Sequence, residues 1–249
     1  MVNMQGISII ITDLAKRFGD KTILAGVSLS VQPGQTVCLI GPSGGGKSTL
    51  LRCVNGLNTF DNGSIQVGSH RLVPERNSTS VTVRRTVGMV FQDFRLFPHM
   101  TALENVMEAP RQLLKTSFPE LKSTAHDLLK QVGLDDRAQH RPHQLSGGQQ
   151  QRVAIARALA MNPHALLCDE ITSALDPERK HDVLEVLERL QEKGLTILMV
   201  THEIGFARRA ADHVVVLAEG KNIEEGPPAE ILDHPKTERT QQFLARVVG

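Results

Sequence analysis

The chain has 249 residues, and its 28 lysine and arginine residues nearly balance 27 aspartate and glutamate residues, for a formal net charge of +1. A chain of this length can bury a sizeable core without disulfides, and its near-neutral charge excludes a strong general attraction to nucleic acid or anionic lipid. No apolar stretch approaches the roughly 20 residues that a membrane-spanning helix needs.

The start of the chain and its cysteines both point to the cytosol. Residues 1–6 lack the basic region and the apolar core of a secretory signal. The three cysteines, Cys38, Cys53 and Cys168, lie in apolar segments without metal-ligand spacing, which is typical of a reducing compartment. We therefore expect a cytosolic chain whose cysteines are small core residues.

Two kinds of strand are predicted. Short β-branched runs at 7–12, 23–31, 64–67 and 87–91 are separated by turn signals and predict an antiparallel sheet near the N-terminus. Runs at 36–40, 165–168, 196–200 and 214–217 are apolar throughout, as in a buried parallel sheet. The mixture predicts an α/β fold with a mixed β-sheet.

A phosphate-binding loop follows the strand predicted at 36–40 and opens a helix predicted at 47–57. The segment matches G-x-x-x-x-G-K-[ST] in the strand-loop-helix context that this motif requires. Backbone N–H groups and the helix N-terminus attract phosphate, the lysine reaches the β- and γ-phosphates, and the serine that follows it ligates Mg²⁺. The residues are Gly41, Pro42, Ser43, Gly44, Gly45, Gly46, Lys47, Ser48 and Thr49.

The pattern turns helical between residues 92 and 145, with a helix predicted at 119–132. A further amphipathic run at 150–161 follows the segment Ser146, Gly147, Gly148 and Gln149. Ser146 and Gln149 have the spacing of a helix capping box, and the two glycines leave N–H groups accessible to an anion. Physical chemistry alone leaves both interpretations open.

Two adjacent carboxylates, Asp169 and Glu170, end the buried strand predicted at 165–168. Carboxylates that are desolvated side by side are costly unless a cation or a donor meets them. Behind a phosphate loop, Asp169 is expected near Mg²⁺ and Glu170 beside the water that attacks the γ-phosphate.

The phosphate loop, the segment from Leu145 to Gln149 and the Asp169-Glu170 pair, in this order, resemble the ATP-binding subunits of ABC transporters over nearly the whole chain. The resemblance implies a P-loop NTPase core with an N-terminal antiparallel β subdomain and an inserted helical subdomain. The chain would be one domain, 1–249, with residues 1–92 and 160–249 as the nucleotide-binding core and about 93–159 as the helical subdomain. ATP and Mg²⁺ would be its cofactors.

The resemblance also implies partners and a location. In a head-to-tail homodimer, Ser146, Gly147, Gly148 and Gln149 of one copy would contact the γ-phosphate of ATP held by the Lys47 loop of the other. The dimer would lie peripherally at the cytoplasmic face of the inner membrane and act on transmembrane permease subunits, and through them on a solute-binding protein. No direct contact with nucleic acid is expected.

Four further site residues come from the resemblance. Gln92 would touch Mg²⁺ and the attacking water, although a loop glutamine alone is ordinary polar surface. His202 would contact the γ-phosphate and orient Glu170, although a lone histidine is more often structural. Asp176 would couple the two ATP sites, although it equally fits a helix cap before Pro177. Phe18 would stack on adenine, with an ordinary core phenylalanine as the alternative.

Residues 91–106 and the C-terminal segments 224–228, 238–240 and 243–244 resemble the branch that serves polar amino acid importers. The resemblance implies that a permease helix docks near residues 92–101. Exposed Phe94, Leu96 and Phe97 would suit such a groove, and buried loop packing is the alternative.

The chain departs from the family pattern after the catalytic glutamate, where Ile171 replaces the usual proline. Proline fixes its own φ and restricts the preceding residue, so isoleucine is expected to hold Glu170 less firmly and to slow hydrolysis. Gly45 replaces a commoner serine and Cys168 a commoner phenylalanine, and both changes are expected to be tolerated.

Three other functions compete with an importer. An ABC-type ATPase of DNA or the ribosome is disfavoured, because residues 93–144 leave no room for a long coiled coil and only one ATP module is present. A P-loop kinase for a small acceptor leaves residues 145–149 unexplained. An exporter or cell-envelope ATPase shares every catalytic residue and differs only in its partner.

Overall fold

The structure is a computed structural model that describes residues 5–74 and 79–248. The strands within these residues are β1 (Ile9–Phe18), β2 (Lys21–Val31), β3 (Thr36–Ile40), β4 (Asn62–Val67), β5 (His70–Leu72), β6 (Val87–Val90), β7 (Ala165–Asp169), β8 (Thr196–Val200), β9 (His213–Ala218) and β10 (Lys221–Gly226). The helices are α1 (Lys47–Val54), α2 (Thr79–Thr86), α3 (Ala102–Leu113), α4 (Phe118–Gln131), α5 (Gly147–Leu159), α6 (Pro177–Glu192), α7 (Ile204–Ala210), α8 (Pro228–Asp233) and α9 (Glu238–Val248). Residues 1–4, on which part of the expectation about a secretory signal rests, lie outside the described part of the chain.

The strands form two sheets. The first is antiparallel and has the order β2-β1-β4-β5, which confirms the N-terminal antiparallel sheet. The second has the order β10-β9-β3-β8-β7-β6, with parallel pairing from β9 to β6 and an antiparallel edge at β10. The predicted α/β fold with a mixed sheet is confirmed.

One strand was assigned to the wrong sheet by its sequence pattern. The run at 87–91 was expected in the N-terminal antiparallel sheet, but β6 pairs in parallel with β7 at the edge of the second sheet. Its four residues are too few for a pattern of apolar and polar positions to indicate which strand it pairs with, and only Val87 and Val90 are buried. The preceding helix α2, which the sequence analysis did not predict, carries the chain across to that edge.

The six-stranded sheet is covered on both faces. Helices α3 to α9 contribute to one apolar cluster, and α1 and α2 with the antiparallel sheet contribute to the other. Every residue of β3, β7 and β8 is therefore buried, which accounts for sequences that are apolar except at Thr36, Asp169 and Thr196. The three cysteines are buried and unpaired, as expected.

The helices begin and end close to the predicted positions. The helix predicted at 119–132 is α4, one residue earlier at each end, whereas the helix predicted at 47–57 ends at Val54. Helix α3 begins with a capping box, in which the Thr101 N–H donates to Glu104 Oε2 at 2.7 Å and the Glu104 N–H donates to Thr101 Oγ1 at 3.2 Å. None of the helices in the described residues combines the length and the apolar composition needed to cross a bilayer.

This topology decides where polar side chains meet. The parallel strands β3, β8, β7 and β6 are neighbours in that order, and their carboxyl ends lie at one edge of the sheet. Residues that follow these four strands therefore come together there, as ligands do at the strand ends of open α/β sheets.

Candidate functional site

The loop between β3 and α1, residues 41–46, is shaped by close backbone contacts. Gly41 has a φ of 135°, and a Cβ there would lie 2.2 Å from the Leu217 carbonyl oxygen. Gly46 has a φ of 99°, and its Cβ would lie 2.8 Å from the Ile23 carbonyl oxygen. Only glycine fits these two positions, and the turn leaves the N-terminus of α1 facing the strand ends.

The departure at Gly45 also has a local structural basis. A Cβ at Gly45 would approach the Leu217 carbonyl oxygen to 2.7 Å. The Gly45 carbonyl accepts a hydrogen bond from the Gly220 N–H at 3.2 Å. Glycine here lets the loop pack directly on the turn between β9 and β10.

Lys47, the first residue of α1, is almost fully buried within the loop. Its Nζ donates to the Gly41 carbonyl at 2.8 Å and to the Pro42 carbonyl at 2.9 Å. Burial lowers the pKa of the ammonium group, and the charges of Glu170 and Asp169 oppose that shift. The two carboxylates are therefore close enough to stabilise the positive charge that a phosphate would meet.

Asp169 ends β7 and is 3% exposed. Its Oδ2 pairs with Arg52 Nη2 of α1 at 3.3 Å, and its Oδ1 is buried without a hydrogen-bond partner among the described residues. A buried carboxylate oxygen without a donor is costly, and a cation satisfies it. The residue therefore fits a divalent metal.

The described residues contain no group of three His, Cys, Asp or Glu side chains placed to hold a metal. Mg²⁺ ordinarily takes one or two protein ligands and completes an octahedron with water and substrate phosphate oxygens. The single open carboxylate oxygen of Asp169 suits that mode of binding, and Ser48 lies in the first turn of the helix that carries Arg52.

Glu170 faces a different way from its neighbour because its backbone adopts a left-handed conformation, with φ at 49°. Its N–H donates to the Val200 carbonyl at 3.1 Å, which ties the turn to the end of β8. Its Oε1 lies 3.4 Å from Nε2 of His202, just beyond β8. A non-glycine residue held at positive φ is costly and is found preferentially at functional sites.

The turn after Glu170 is anchored from several sides. Ile171 is fully buried, and the Ser173 hydroxyl donates to the Glu170 carbonyl at 2.8 Å. Glu203, which follows His202, accepts from Lys180 Nζ of α6 at 2.8 Å and from the Thr172 hydroxyl at 3.5 Å. The segments that carry Glu170 and His202 are therefore linked twice, by the contact between these two side chains and by the contact between Thr172 and Glu203.

The capping box predicted at Ser146 is confirmed. The Gln149 N–H donates to Ser146 Oγ at 3.3 Å, and the Ser146 N–H donates to Gln149 Oε1 at 2.9 Å. Gly147 is close to Leu175, and Gly148 is close to Arg179, with ideal Cβ positions 3.2 and 3.1 Å from these side chains. The start of α5 thus lies against the turn that precedes α6.

Asp176 occupies the N-cap position of α6 and Pro177 the first helical position, as predicted, but the side chain makes no capping hydrogen bond. Its Oδ2 instead pairs with Arg179 Nη1 at 3.0 Å on the protein surface. The helix-start interpretation, with Asp176 as the N-cap residue and Pro177 first in the helix, is confirmed.

Gln92 and Phe18 are both exposed, and for Phe18 the exposure decides between the two alternatives. Gln92 follows β6 and makes no hydrogen bond within the described part of the chain. Phe18 ends β1 with 53% of its surface exposed, and Lys16 Nζ lies 5.0 Å from its ring centroid. The alternative of a core phenylalanine is wrong, and one face of the ring remains available for stacking.

Sequence reasoning missed Arg157, which holds the segment 92–97, termed here the Gln92 loop. Its guanidinium donates to the Phe94 carbonyl at 2.8 Å and to the Arg95 carbonyl. Phe94 and Arg95 have φ values of 54° and 50°, so the arginine stabilises a strained turn. Burial lowers the pKa of Arg157. The sequence feature that could have identified Arg157 is its position as the one charged residue within the otherwise apolar run 153–159.

A groove of about 450 Å³ is lined by residues that follow the Gln92 loop in the chain, beginning at His99, and by Arg111, Phe118 and Lys122 among others. The predicted apolar exposure of the loop was only partly right. Phe97 is 42% exposed, whereas Phe94 and Leu96 pack against the core. Phe118, at the start of α4, adds a side chain that is 60% exposed.

Comparison with known proteins gives concordant matches. The family model described as ABC transporter matches residues 24–173. The chain is 48% identical over 94% of its length to the glutamine transport ATP-binding protein GlnQ of Bacillus subtilis, covering 96% of that protein. It is 47% identical over 94% of its length to the arginine transport ATP-binding protein ArtM of the same organism, covering 98% of it.

A third relative is the glutamate transport ATP-binding protein GluA of Corynebacterium glutamicum, 46% identical over 96% of this chain and 98% of its own length. Among solved structures, the dimeric post-hydrolysis state of the ATP-binding cassette MJ0796 with ADP and Pi matches with a TM-score of 0.80. That match has 35% identity and covers 88% of this chain and 98% of the other.

Proposed function

The chain belongs to the ATP-binding subunits of ABC transporters, and from this premise we propose that it hydrolyses ATP to drive import of a polar amino acid through a membrane permease. The observation that carries the ATPase chemistry is the end of β7. There Asp169 keeps an open, buried oxygen beside α1, and Glu170 turns away toward His202. Relatives named for glutamine, arginine and glutamate transport support the substrate class.

The phosphate loop supplies the nucleotide contacts in this proposal. N–H groups from residues 41–49 surround the phosphates at the start of α1, and Lys47 exchanges its loop carbonyl partners for phosphate oxygens. Phe18 stacks on the adenine. Ser48, Asp169 and Gln92 hold Mg²⁺, which neutralises charge on the phosphates when bound.

Glu170 acts as the general base. Its carboxylate accepts a proton from the water that attacks the γ-phosphate, and the bond to the β-phosphate oxygen breaks to leave ADP and inorganic phosphate. His202 keeps the carboxylate in position through the contact between its Nε2 and Glu170 Oε1. The buried turn around Ile171 limits the freedom of both groups.

A second copy completes the site. Ser146, Gly147, Gly148 and Gln149 form a helix start whose capping box leaves the glycine N–H groups free of side-chain cover. In a head-to-tail dimer, this helix start contacts the γ-phosphate held by the other copy, and Asp176 lies between the two sites. The dimeric form of the structural neighbour supports this arrangement.

The groove beside the Gln92 loop is the docking surface for the permease. We assign residues 93–159 to the helical subdomain, which carries the groove, and residues 1–92 and 160–249 to the nucleotide-binding core. Arg157 in the last turn of α5 donates to the Phe94 carbonyl, and Gly147 at the start of α5 lies close to the Phe94 ring. A permease helix that displaces the Gln92 loop therefore moves the start of α5 and the Mg²⁺ side of the site together. The chain works at the cytoplasmic face of the membrane.

The deciding experiment identifies what co-purifies with the Glu170→Gln variant from detergent-solubilised membranes in ATP. A variant blocked in hydrolysis keeps the dimer closed, so it retains its partner longest. We expect a multispanning permease encoded beside an amino acid binding protein. Recovery of nucleic acid, ribosomes or envelope-remodelling proteins alone would preserve the ATPase assignment and reject the import function.

A further inference from the structure

A cavity of about 260 Å³ separates the phosphate loop from α9. Pro42 and Ser43 of the loop and the His202 side chain form one side of it. Helix α9 forms the other side through the polar residues Arg239, Gln242 and Arg246 and the apolar residues Phe243 and Val247. The cavity thus adjoins the side of the nucleotide site where Glu170 and His202 meet.

The α9 wall is basic. Arg239, Gln242 and Arg246 are three and four residues apart, so they share one face of the helix. Arg239 pairs with Glu219 at 3.1 Å, whereas Arg246 has no acidic partner within the described part of the chain. None of the described residues that line the cavity carries a carboxylate side chain. Its electrostatic potential therefore favours an anion.

The helix is anchored just before its first residue and through its apolar face. Glu224 of β10 accepts hydrogen bonds from the Lys236 N–H at 2.7 Å and from the Thr237 hydroxyl at 2.8 Å, immediately before α9 begins. Phe243 and Leu244 are buried in the core. Arg246 is consequently presented from a fixed backbone, as a binding residue must be.

We propose that this cavity is a second oxyanion subsite, which binds inorganic phosphate after it leaves the γ position. The inference rests on the proposed function, since ATP hydrolysis produces that phosphate. Arg246 and Gln242 donate to the phosphate oxygens, and His202 and Ser43 lie between the two positions. The volume accommodates a tetrahedral dianion, which occupies roughly two to three times the volume of a water molecule, together with some of its water.

The α9 wall lies beyond residue 173, where the match to the family model ends, whereas Pro42 and Ser43 lie within the matched segment. Lys47, which holds the γ-phosphate in the proposed function, is not among the described residues that line the cavity. The competing occupant is an acidic side chain of that second copy, because a guanidinium binds carboxylate and phosphate with the same geometry.

The test removes the charge of Arg246 with Arg246→Gln and restores it with Arg246→Lys. The matched control is Arg85→Gln, which removes an exposed arginine of α2 beside β6, at the opposite edge of the sheet from α9 and β10. Inhibition of ATPase activity by inorganic phosphate is measured for each. We expect the inhibition constant to rise about tenfold in Arg246→Gln, with most of the effect reversed by lysine and none in the control.

Calorimetric titration of inorganic phosphate into the ADP-loaded protein tests the subsite without turnover. If phosphate binds more weakly to Arg246→Gln than to the parent, the result supports the subsite, whether or not the parent hydrolyses ATP. If the parent does not hydrolyse ATP, that result rejects the proposed function and leaves the binding measurement as a separate test of the subsite. Equal phosphate binding and inhibition in the parent and Arg246→Gln would overturn the inference. The same result with a weakened ATP-dependent dimer would assign Arg246 to a carboxylate of the second copy.

Discussion

Two adjacent carboxylates at the end of β7 meet different partners. Asp169 continues the direction of β7 and meets Arg52, whereas Glu170, at a φ of 49°, turns toward His202. Two like charges at one strand end repel each other, and the two side chains diverge toward different partners, a guanidinium and an imidazole. The residue pair was visible in the sequence, but the turn that divides it was not.

We expect Glu170→Gln to lower kcat for ATP hydrolysis by about 10²- to 10⁴-fold, because glutamine keeps the shape of the side chain and cannot accept the proton. Nucleotide binding, measured by fluorescence of an ATP analogue, should remain within about twofold of the parent, since Lys47 and the loop are untouched. Glu192→Gln, at the exposed end of α6, is the control. Turnover at the parent rate would reject Glu170 as the base.

Ile171→Pro tests the departure from the family pattern. We expect kcat to be equal or higher, because proline fixes φ at residue 171 and narrows the conformations open to Glu170. The Ile171 side chain is fully buried, so its loss should lower the free energy of unfolding by about 1 to 2 kcal/mol.

The control is Ile171→Val, which removes one methylene group without constraining the backbone. Denaturant unfolding and steady-state ATPase kinetics separate the two effects in both variants. A collapse of activity in Ile171→Pro, with activity retained in Ile171→Val, would show that the turn has repacked around isoleucine and that the positive φ of Glu170 does not tolerate a following proline.

At the scale of elements, Arg157 in the last turn of α5 holds the Gln92 loop. We expect Arg157→Gln to lower kcat several-fold and to lower the free energy of unfolding by about 1 to 3 kcal/mol, because the Phe94 and Arg95 carbonyls lose a charged donor. Hydrogen exchange at residues 92–97 should accelerate. Arg152→Gln on the same helix, which loses its bond to the Val132 carbonyl instead, should leave that exchange unchanged.

Unchanged exchange at residues 92–97 in Arg157→Gln would show that the loop is held by its own packing. The arginine would then have no part in linking the permease groove to the start of α5.

Glu224 fixes the segment before α9. Burial raises the pKa of its carboxyl group, but hydrogen bonds from Lys236, Thr240 and Thr237 outweigh that effect and lower the pKa to about 2. A group whose pKa is depressed on folding stabilises the protein above its unfolded pKa, and this contribution disappears as pH falls toward the folded value. The stabilisation should therefore be complete at neutral pH and decline between about 4.5 and about 2.

Glu224→Gln should lower the free energy of unfolding at pH 7 by about 1 to 3 kcal/mol and flatten its decline across this acidic range. Denaturant unfolding at several pH values measures both. Glu225→Gln, at the exposed next position of β10, is the control. An identical pH dependence in the parent and Glu224→Gln would show that the hydrogen bonds around Glu224 do not depend on its charge.

The sequence predicted the elements that are specified by their own residue pattern. It did not predict the features that depend on contacts with residues far away along the chain. The apolar runs of β3, β7, β8 and β9 define buried strands within about one residue of their ends, because burial on both faces removes every polar position. The short strand β6 could not be assigned to a sheet, since pairing depends on its neighbours. Arg52 and Arg157 were missed for the same reason: their partners lie far away along the chain.

At the scale of the whole molecule, the proposed dimer makes each ATP site from two chains. Lys47 of one copy and Ser146 of the other face one nucleotide. A variant defective at either position should therefore be inactive alone, because both sites of its homodimer carry the defect. In a mixed dimer of a Lys47→Ala copy and a Ser146→Arg copy, one ATP site contains both substitutions and the other ATP site contains neither.

Equal mixtures of the Lys47→Ala and Ser146→Arg proteins should accordingly recover up to about a quarter of the parent ATPase activity, since half of the randomly formed dimers contain one intact site of two. Neither protein alone should exceed background, and sedimentation in ATP confirms that mixed dimers form. If Lys47 and Ser146 served the same nucleotide within one chain, every copy in the mixture would remain defective. Mixed dimers without recovered activity would thus contradict the head-to-tail site, whereas recovery requires that the Ser146 helix start reach across to the second copy's phosphate loop.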